Sequence, residues 1–148
     1  MVLEIRRYDP GDEGAVVRLW QLCGLVVPWN DPHRDIARKL ADGAEGFLVG
    51  ILDGAIVAVV MAGYDGHRGW INYLAVHPDQ RLQGFGRQMM GAAEAVLRAR
   101  GCAKINLQVR STNAEAVGFY ERIGFAADAV VSLGKRLTPD GEPLGRSR

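Results

Sequence analysis

WINYLAVHPDQRLQGFGRQMM, residues 70–90, runs from an apolar, β-rich segment through a short polar loop into a helix. The first seven residues read as a strand, and Gly84 and Gly86 stand at the helix entrance with Arg81 and Arg87 beside them. The first four N–H groups of a helix have no internal partner, and the aligned peptide dipoles add positive charge there. Glycines let an anion approach that backbone without meeting a Cβ, and arginines add charge and forked donors. The loop therefore reads as a pyrophosphate cradle, against the simpler reading of a plain glycine turn. A Walker loop needs Gly-Lys-Ser/Thr, which is missing here. A dinucleotide fingerprint needs a third glycine and an acid about 20 residues on, where Lys104 and Asn106 flank Ile105.

Upstream, LEIRRY (3–8) reads as a first strand, and Asp9-Pro10-Gly11 opens a helix over 12–23 with Val16, Leu19, Trp20 and Cys23 at helical spacing. Asp31, after the rigid PWNDP loop (28–32), can cap a second helix that turns Ile36 and Leu40 inward and keeps Arg34, Asp35, Arg38 and Lys39 in water. Asp53-Gly54, between two β-rich runs, predicts a two-residue hairpin leading into the strand at 70–76. Downstream, Gly101 stops the helix that follows the cradle, KINLQVR (104–110) forms the fifth strand, and Asn113 caps a helix running to Ile123. Gly124 then leads to a sixth strand near 125–135. The order β-α-α-β-β-β-α-β-α-β describes an α/β (α+β) fold, with a mixed, mostly antiparallel sheet of about six strands flanked by about four helices. Residues 1–136 are read as one domain and 137–148, rich in Pro, Gly and polar residues, as a loose tail.

The chain has 148 residues, enough to bury one core. Its net charge is +1, yet residues 81–110 alone hold +5, leaving −4 elsewhere. A local basic field on a near-neutral protein suits a small polyanion better than nucleic acid. Cys23 and Cys102 form no CxxC, and His33, His67 and His77 lack metal-ligand spacing, so no metal is expected. With no leader-like N-terminus and no membrane-length apolar run, a cytoplasmic protein is expected.

R81-L82-Q83-G84-F85-G86 resembles the Q/R-x-x-G-x-G/A signature of the GNAT N-acetyltransferases, and it follows a strand ending in Ala75-Val76-His77-Pro78, as in that family. A second block, NAEAVGFYERIGF (113–125), falls at the family's distance, and the upstream element order matches, so the likeness is nearly full length. PWNDP, GYDGHRG and SLGKRL further resemble a bacterial subgroup of unassigned substrate, the YpeA type. The resemblance implies acetyl-CoA wedged between two splayed strands, residues 70–76 and 104–110. Leu74, Ala75 and Val76 would meet the pantetheine arm through their backbones. Arg81, Leu82, Gln83, Gly84, Phe85, Gly86 and Arg87 would form the pyrophosphate site. Leu82 stands where many relatives have another glycine.

It implies, too, direct attack of an amine on the thioester, with the Leu74 N–H stabilising the oxyanion, Tyr120 as general acid to the thiolate and Asn113 as a CoA contact. Some relatives carry a glutamate base on the fifth strand. Gln108 stands at that place here and cannot take a proton. The base is thus open among Asp31, Asp65, His67, His77, Glu115 and a water relay through Tyr73. Trp29, Asn30 and Asp31 in one loop, and Tyr64, Asp65 and His67 at another, are either acceptor-pocket residues or ordinary turn formers. The partner implied is a small-molecule or peptide amine, with no nucleic acid and no membrane. A homodimer is left open. The competing reading is a non-catalytic acyl-CoA sensor, which Gln108 favours and Tyr120 opposes.

Overall fold

The computed structural model describes residues 1–140. Five strands form one sheet in the order β1 (Glu4–Arg7), β2 (Phe47–Leu52), β3 (Ala55–Tyr64), β4 (Gly69–Val76), β5 (Ile105–Leu107). The first four pair antiparallel, and β4 and β5 pair in parallel. Four helices complete the fold: α1 (Glu13–Leu22), α2 (Pro32–Asp42), α3 (Phe85–Ala99) and α4 (Ala114–Arg122). The mixed, mostly antiparallel α/β architecture and the four helices are as expected. Among the described residues, no helix is long and apolar enough to cross a membrane.

Local chemistry explains the boundaries. Asp53 and Gly54 both take positive φ, 51° and 79°, as a two-residue hairpin turn between twisted strands requires. Asp31 and Asn113 cap α2 and α4 by accepting hydrogen bonds from backbone N–H groups one turn on. The sheet divides the apolar core. Leu48, Val60, Ile71, Phe85, Met89 and Leu97 pack on the α3 side, and Val16, Trp20, Ile36, Phe47, Val49 and Val59 pack under α1 and α2. Ile36 is buried, but Leu40, expected to face inward beside it, is 40% exposed.

Two expectations fail at the C-terminal end. The sixth strand is absent, since residues 125–136 contain no strand. This segment meets the β5 region through side chains, with Lys104 Nζ on Asp128 Oδ1 at 3.0 Å and Gln108 on Ser132, while Val130, Val131 and Leu133 stay exposed. Without a ladder and a buried face, a β-rich sequence gains nothing from extended pairing. β5 is itself shorter than the expected 104–110.

The tail, expected to be loose from residue 137, is anchored at Asp140, which is only 1% exposed. Its carboxylate accepts from the Asp31 N–H (3.0 Å), from both Arg38 Nη atoms (3.1 Å each) and from Arg34 Nη1 (3.3 Å). The rest of the expected tail, 141–148, lies outside the described residues. Arg38 foremost, then the Asp31 N–H, with a smaller share from Arg34, hold the Asp140 carboxyl down at about 2. A depressed carboxylate stabilises the fold above its unfolded pKa near 3.9 and stops doing so as pH falls through its folded value. The Tm difference between the wild type and Asp140→Asn is therefore expected to be large at pH 7 and to close between about pH 4 and 2. Thermal melts across that range check it, and a constant difference would contradict it.

Candidate active site

The site begins where the sheet opens. β4 pairs with β5 only from Gly69 to Ile71, leaving Asn72 to Val76 with no strand partner on that side among the described residues. At the same place β4 is bulged, because Tyr73 and Leu74 lie between the pairs Met61–Asn72 and Val59–Ala75. Tyr73 has a φ of 54°, a conformation side chains rarely adopt, and bulges of this kind re-aim the chain. The His77 N–H reaches the Val57 carbonyl at 2.7 Å, so by strand alternation Ala75 also turns its backbone toward β3. The backbone groups of Leu74 and Val76 turn to the open side. Of the three expected backbone contacts, then, Ala75 faces away from the gap. The Val76 carbonyl is already engaged, by Arg81 Nε at 3.2 Å and Cys23 Sγ at 3.3 Å.

β4 leads through a 3-10 turn (Pro78–Gln80) into α3. The first internal bond of that helix runs from the Gln88 N–H to the Gly84 carbonyl at 3.0 Å, and no side chain caps its start. The N–H groups of Phe85, Gly86 and Arg87 thus lack intrahelical acceptors, as an anion site requires. Gly84 has a φ of 80° and open space where a Cβ would stand. Gly86 differs: its Cβ would come within 3.1 Å of the Phe119 ring, so this glycine lets α4 pack against α3. Phe85 is buried in the core, Gln83 bonds Gln80 at 3.0 Å, and Arg87 is exposed at the helix start.

Leu82 takes a φ of 64°. A left-handed residue bearing a Cβ costs roughly 1–2 kcal/mol, partly offset because glycine loses more backbone freedom on folding. Leu82→Gly is therefore expected to raise Tm by about 1–3 °C. Leu82→Ala, which keeps the Cβ, is expected to gain nothing, and equal melting behaviour of both variants would contradict the strain.

Strand alternation sends the side chains of β4 to opposite faces. Leu74 and Val76 join the apolar cluster of α3 and α4, together with Leu107, Phe119 and Tyr120. Tyr120 packs edge-on to Phe119 and Phe125, with centroids 5.1 and 5.6 Å away, and burial pushes its phenol up to about 12. Asn113 is at the head of the same helix, its Oδ1 accepting the Ala116 N–H at 3.1 Å.

Tyr73 faces the other way, under α1 and α2. Its ring stacks on buried Trp20 at 4.0 Å, and its hydroxyl donates to Asp35 Oδ2 at 2.5 Å. Burial and this bond raise the Tyr73 pKa. Both residues line a pocket of about 700 Å³, along with Trp29, Asn30, Tyr64, Asp65, Arg38, Lys39 and Arg110. Asp35 also accepts from Arg38 Nη1 at 3.3 Å, so a chain of contacts runs from Asp140 through Arg38 and Asp35 to Tyr73. Arg136 Nη2 reaches Asn30 Oδ1 at 2.8 Å and ties the same C-terminal segment to the pocket loop.

Of the residues anticipated around an acceptor, Trp29, Asn30, Tyr64, Asp65 and Tyr73 come together here, and Asp31 does not. Asp31 Oδ1 is engaged in the helix cap, with the His33 N–H at 2.9 Å. Asp65 holds its own turn, accepting from the His67 and Arg68 N–H groups (2.8 and 2.7 Å) and from Trp70 Nε1 (3.3 Å). His67 is exposed, His77 caps the 3-10 turn, Glu115 is exposed in the first turn of α4, and Gln108 bonds Ser132 away from this pocket. Besides Asp65, the carboxylates that line it are Asp42 and Asp35, the latter expected in water from the helix pattern. Asp35, Arg38, Lys39 and Asp42 stand at i, i+3, i+4 and i+7, one charged stripe, which was the available signal.

A β-bulged strand opening beside a partner and running into an uncapped helix offers a place for an extended, anion-bearing ligand, and a polar pocket lies on the opposite face. The family model of the Acetyltransferase (GNAT) family matches residues 15–125, and the chain belongs to that family. The chain is 47% identical over 140 residues to Acetyltransferase YE1169 of Yersinia enterocolitica, covering 95% of this chain and 99% of that protein. Among solved structures it resembles Ard1 from Thermoplasma volcanium, with a TM-score of 0.78 at 26% identity over 87% of this chain and 86% of that one. It also resembles the ribosomal-protein-S18-alanine N-acetyltransferase from Escherichia coli, with a TM-score of 0.70 at 25% identity over 83% and 77% of the two chains.

Proposed function

We propose that this protein is an acetyl-CoA-dependent N-acetyltransferase acting on a primary amine bound in the pocket under α2. The observation that carries the reading is the two-sided opening at β4. Leu74 and Val76 turn toward the apolar cluster with Tyr120, and Tyr73 turns toward the pocket with Asp35. The N–H and C=O groups of Leu74 and the N–H of Val76, on the open side of the strand, suit an amide-bearing arm that completes the sheet. The free N–H groups of Phe85, Gly86 and Arg87, with Arg81 nearby, suit a pyrophosphate.

Acetyl-CoA supplies the thioester. In the transfer the amine nitrogen bonds to the acetyl carbon, the C–S bond breaks with its electron pair going to sulfur, and one amine proton ends on the thiol. The Leu74 N–H serves the oxyanion, and Tyr120 donates to the departing sulfur. Asp35 anchors the incoming ammonium and is the nearest carboxylate to receive its proton. That proton matters: at pH 7, freeing a lysine-type amine of pKa about 10.4 costs about 4.6 kcal/mol, and an α-amine near 7.7 about 1.

The test is release of free CoA thiol from acetyl-CoA in the presence of amino acids, polyamines, aminoglycosides and peptides. The reading expects amine-dependent thiol release with acetylated amine as product. Tight acetyl-CoA binding by calorimetry with no turnover on any amine would instead identify a sensor.

A further inference from the structure

Resting on that reading of the pocket, we infer that the acceptor is an amine that also carries a carboxylate, such as a free amino acid or a short peptide. The inference follows from the pocket's charges taken one at a time. Arg38 is neutralised by Asp140, which takes both of its Nη atoms at 3.1 Å. Asp65 has both oxygens engaged by its turn. Asp35 takes the Tyr73 hydroxyl on Oδ2 and a longer contact of 3.3 Å from Arg38 on Oδ1; as a pocket-lining carboxylate whose oxygens each have a second lone pair, it suits the ammonium.

Two cations remain. Lys39 is half-buried, and among the described residues its side chain makes no hydrogen bond or ion pair; its Nζ occupies the space beside Gly63, 2.9 Å from where a Cβ would stand. Asp42, which also lines the pocket, and Glu45 act on it only from beyond ion-pair distance, and burial lowers its pKa. The Arg110 side chain, which also lines the pocket, makes no hydrogen bond or ion pair among the described residues either. A third cation, Arg100, stands over the Tyr64 ring at 5.6 Å on the Lys39 side. A partly desolvated ammonium with no anion is unfavourable, and a ligand carboxylate would supply the missing partner. The pocket of about 700 Å³ has room for an amino acid or a dipeptide with its ammonium at Asp35 and its carboxylate between Lys39 and Arg110. A purely cationic polyamine could use the pocket's carboxylates but would leave Lys39 and Arg110 without a partner.

The experiment uses the full chain with acetyl-CoA and compares leucine and leucyl-glycine with leucinamide and isopentylamine, and glutamate with its diamide. The free carboxylate is expected to raise kcat/KM at least tenfold, and Lys39→Met and Arg110→Gln are each expected to shrink that ratio severalfold. Equal or faster turnover of the carboxylate-free amines, or a ratio unchanged in both variants, would overturn the inference. If no amine is acetylated, the enzymatic reading fails. Calorimetry on the CoA-loaded protein still decides the pocket's preference, with tighter binding of leucine than of isopentylamine expected and equal or weaker binding contradicting it. Arg110 is exposed, so its variant reads the effect even if Lys39→Met disturbs folding.

Discussion

Asp35→Asn is expected to lower kcat/KM for the amine about 100-fold while changing the affinity for CoA by less than twofold, in line with the typical loss on removing a positioned acid–base group. Asparagine keeps the size of the side chain and can still accept from the Tyr73 hydroxyl, but it carries no charge for an ammonium and takes no proton. The deficit should shrink as pH rises, because the fraction of acceptor arriving as free amine grows and the proton no longer has to be removed in the site. A purely structural role for Asp35 would give a loss independent of pH, accompanied by a lower Tm. Steady-state kinetics from pH 6.5 to 9.5, with melting curves of both proteins, separate these outcomes.

Tyr120→Phe is expected to lower kcat about 30-fold, with acceptor KM little changed. The magnitude follows from what the phenol is able to give. With its pKa pushed up to about 12 and a thiol near 8.5, complete proton transfer to sulfur is uphill by about 5 kcal/mol. Hydrogen bonding to the developing thiolate is therefore its main contribution, and a bond to a charged acceptor contributes about 2 kcal/mol, equivalent to about 30-fold. Phenylalanine retains the edge-on packing against Phe119 and Phe125, so the fold should be unaffected. A rate loss under threefold would remove Tyr120 from the chemistry and leave it as a core aromatic.

Much of the fold was legible because local chemistry acted alone. The Asp53-Gly54 turn, the Asp31 and Asn113 caps and the apolar spacing of α1 each fix a boundary with residues a few positions apart. The sixth strand was misread since β-propensity describes fitness for a half-buried pleated surface, and residues 125–136 have no such surface beside them. The uncapped entrance of α3 could be read from the glycines at 84 and 86. What those residues could not convey was that Gly86 leaves room for Phe119, a contact across 33 positions. Asp35 and Lys39 were assigned to water because a polar pocket and bulk solvent impose the same helical pattern. Asp140 was invisible for a different reason: its partners lie 102 and 106 residues away, and an ion pair over that distance leaves no periodic trace.

The central claim is that donor and acceptor approach β4 from opposite faces, with the donor along the open edge and at the head of α3. It is tested most directly by titrating isotope-labelled protein with CoA and following backbone amide resonances. The largest shifts are expected on Leu74, Val76, Phe85, Gly86 and Arg87, while the amides of α2 around Asp35 and Lys39 respond only when an amine is added. CoA-induced shifts concentrated in α2 and the 24–31 loop, with the α3 entrance unmoved, would contradict it.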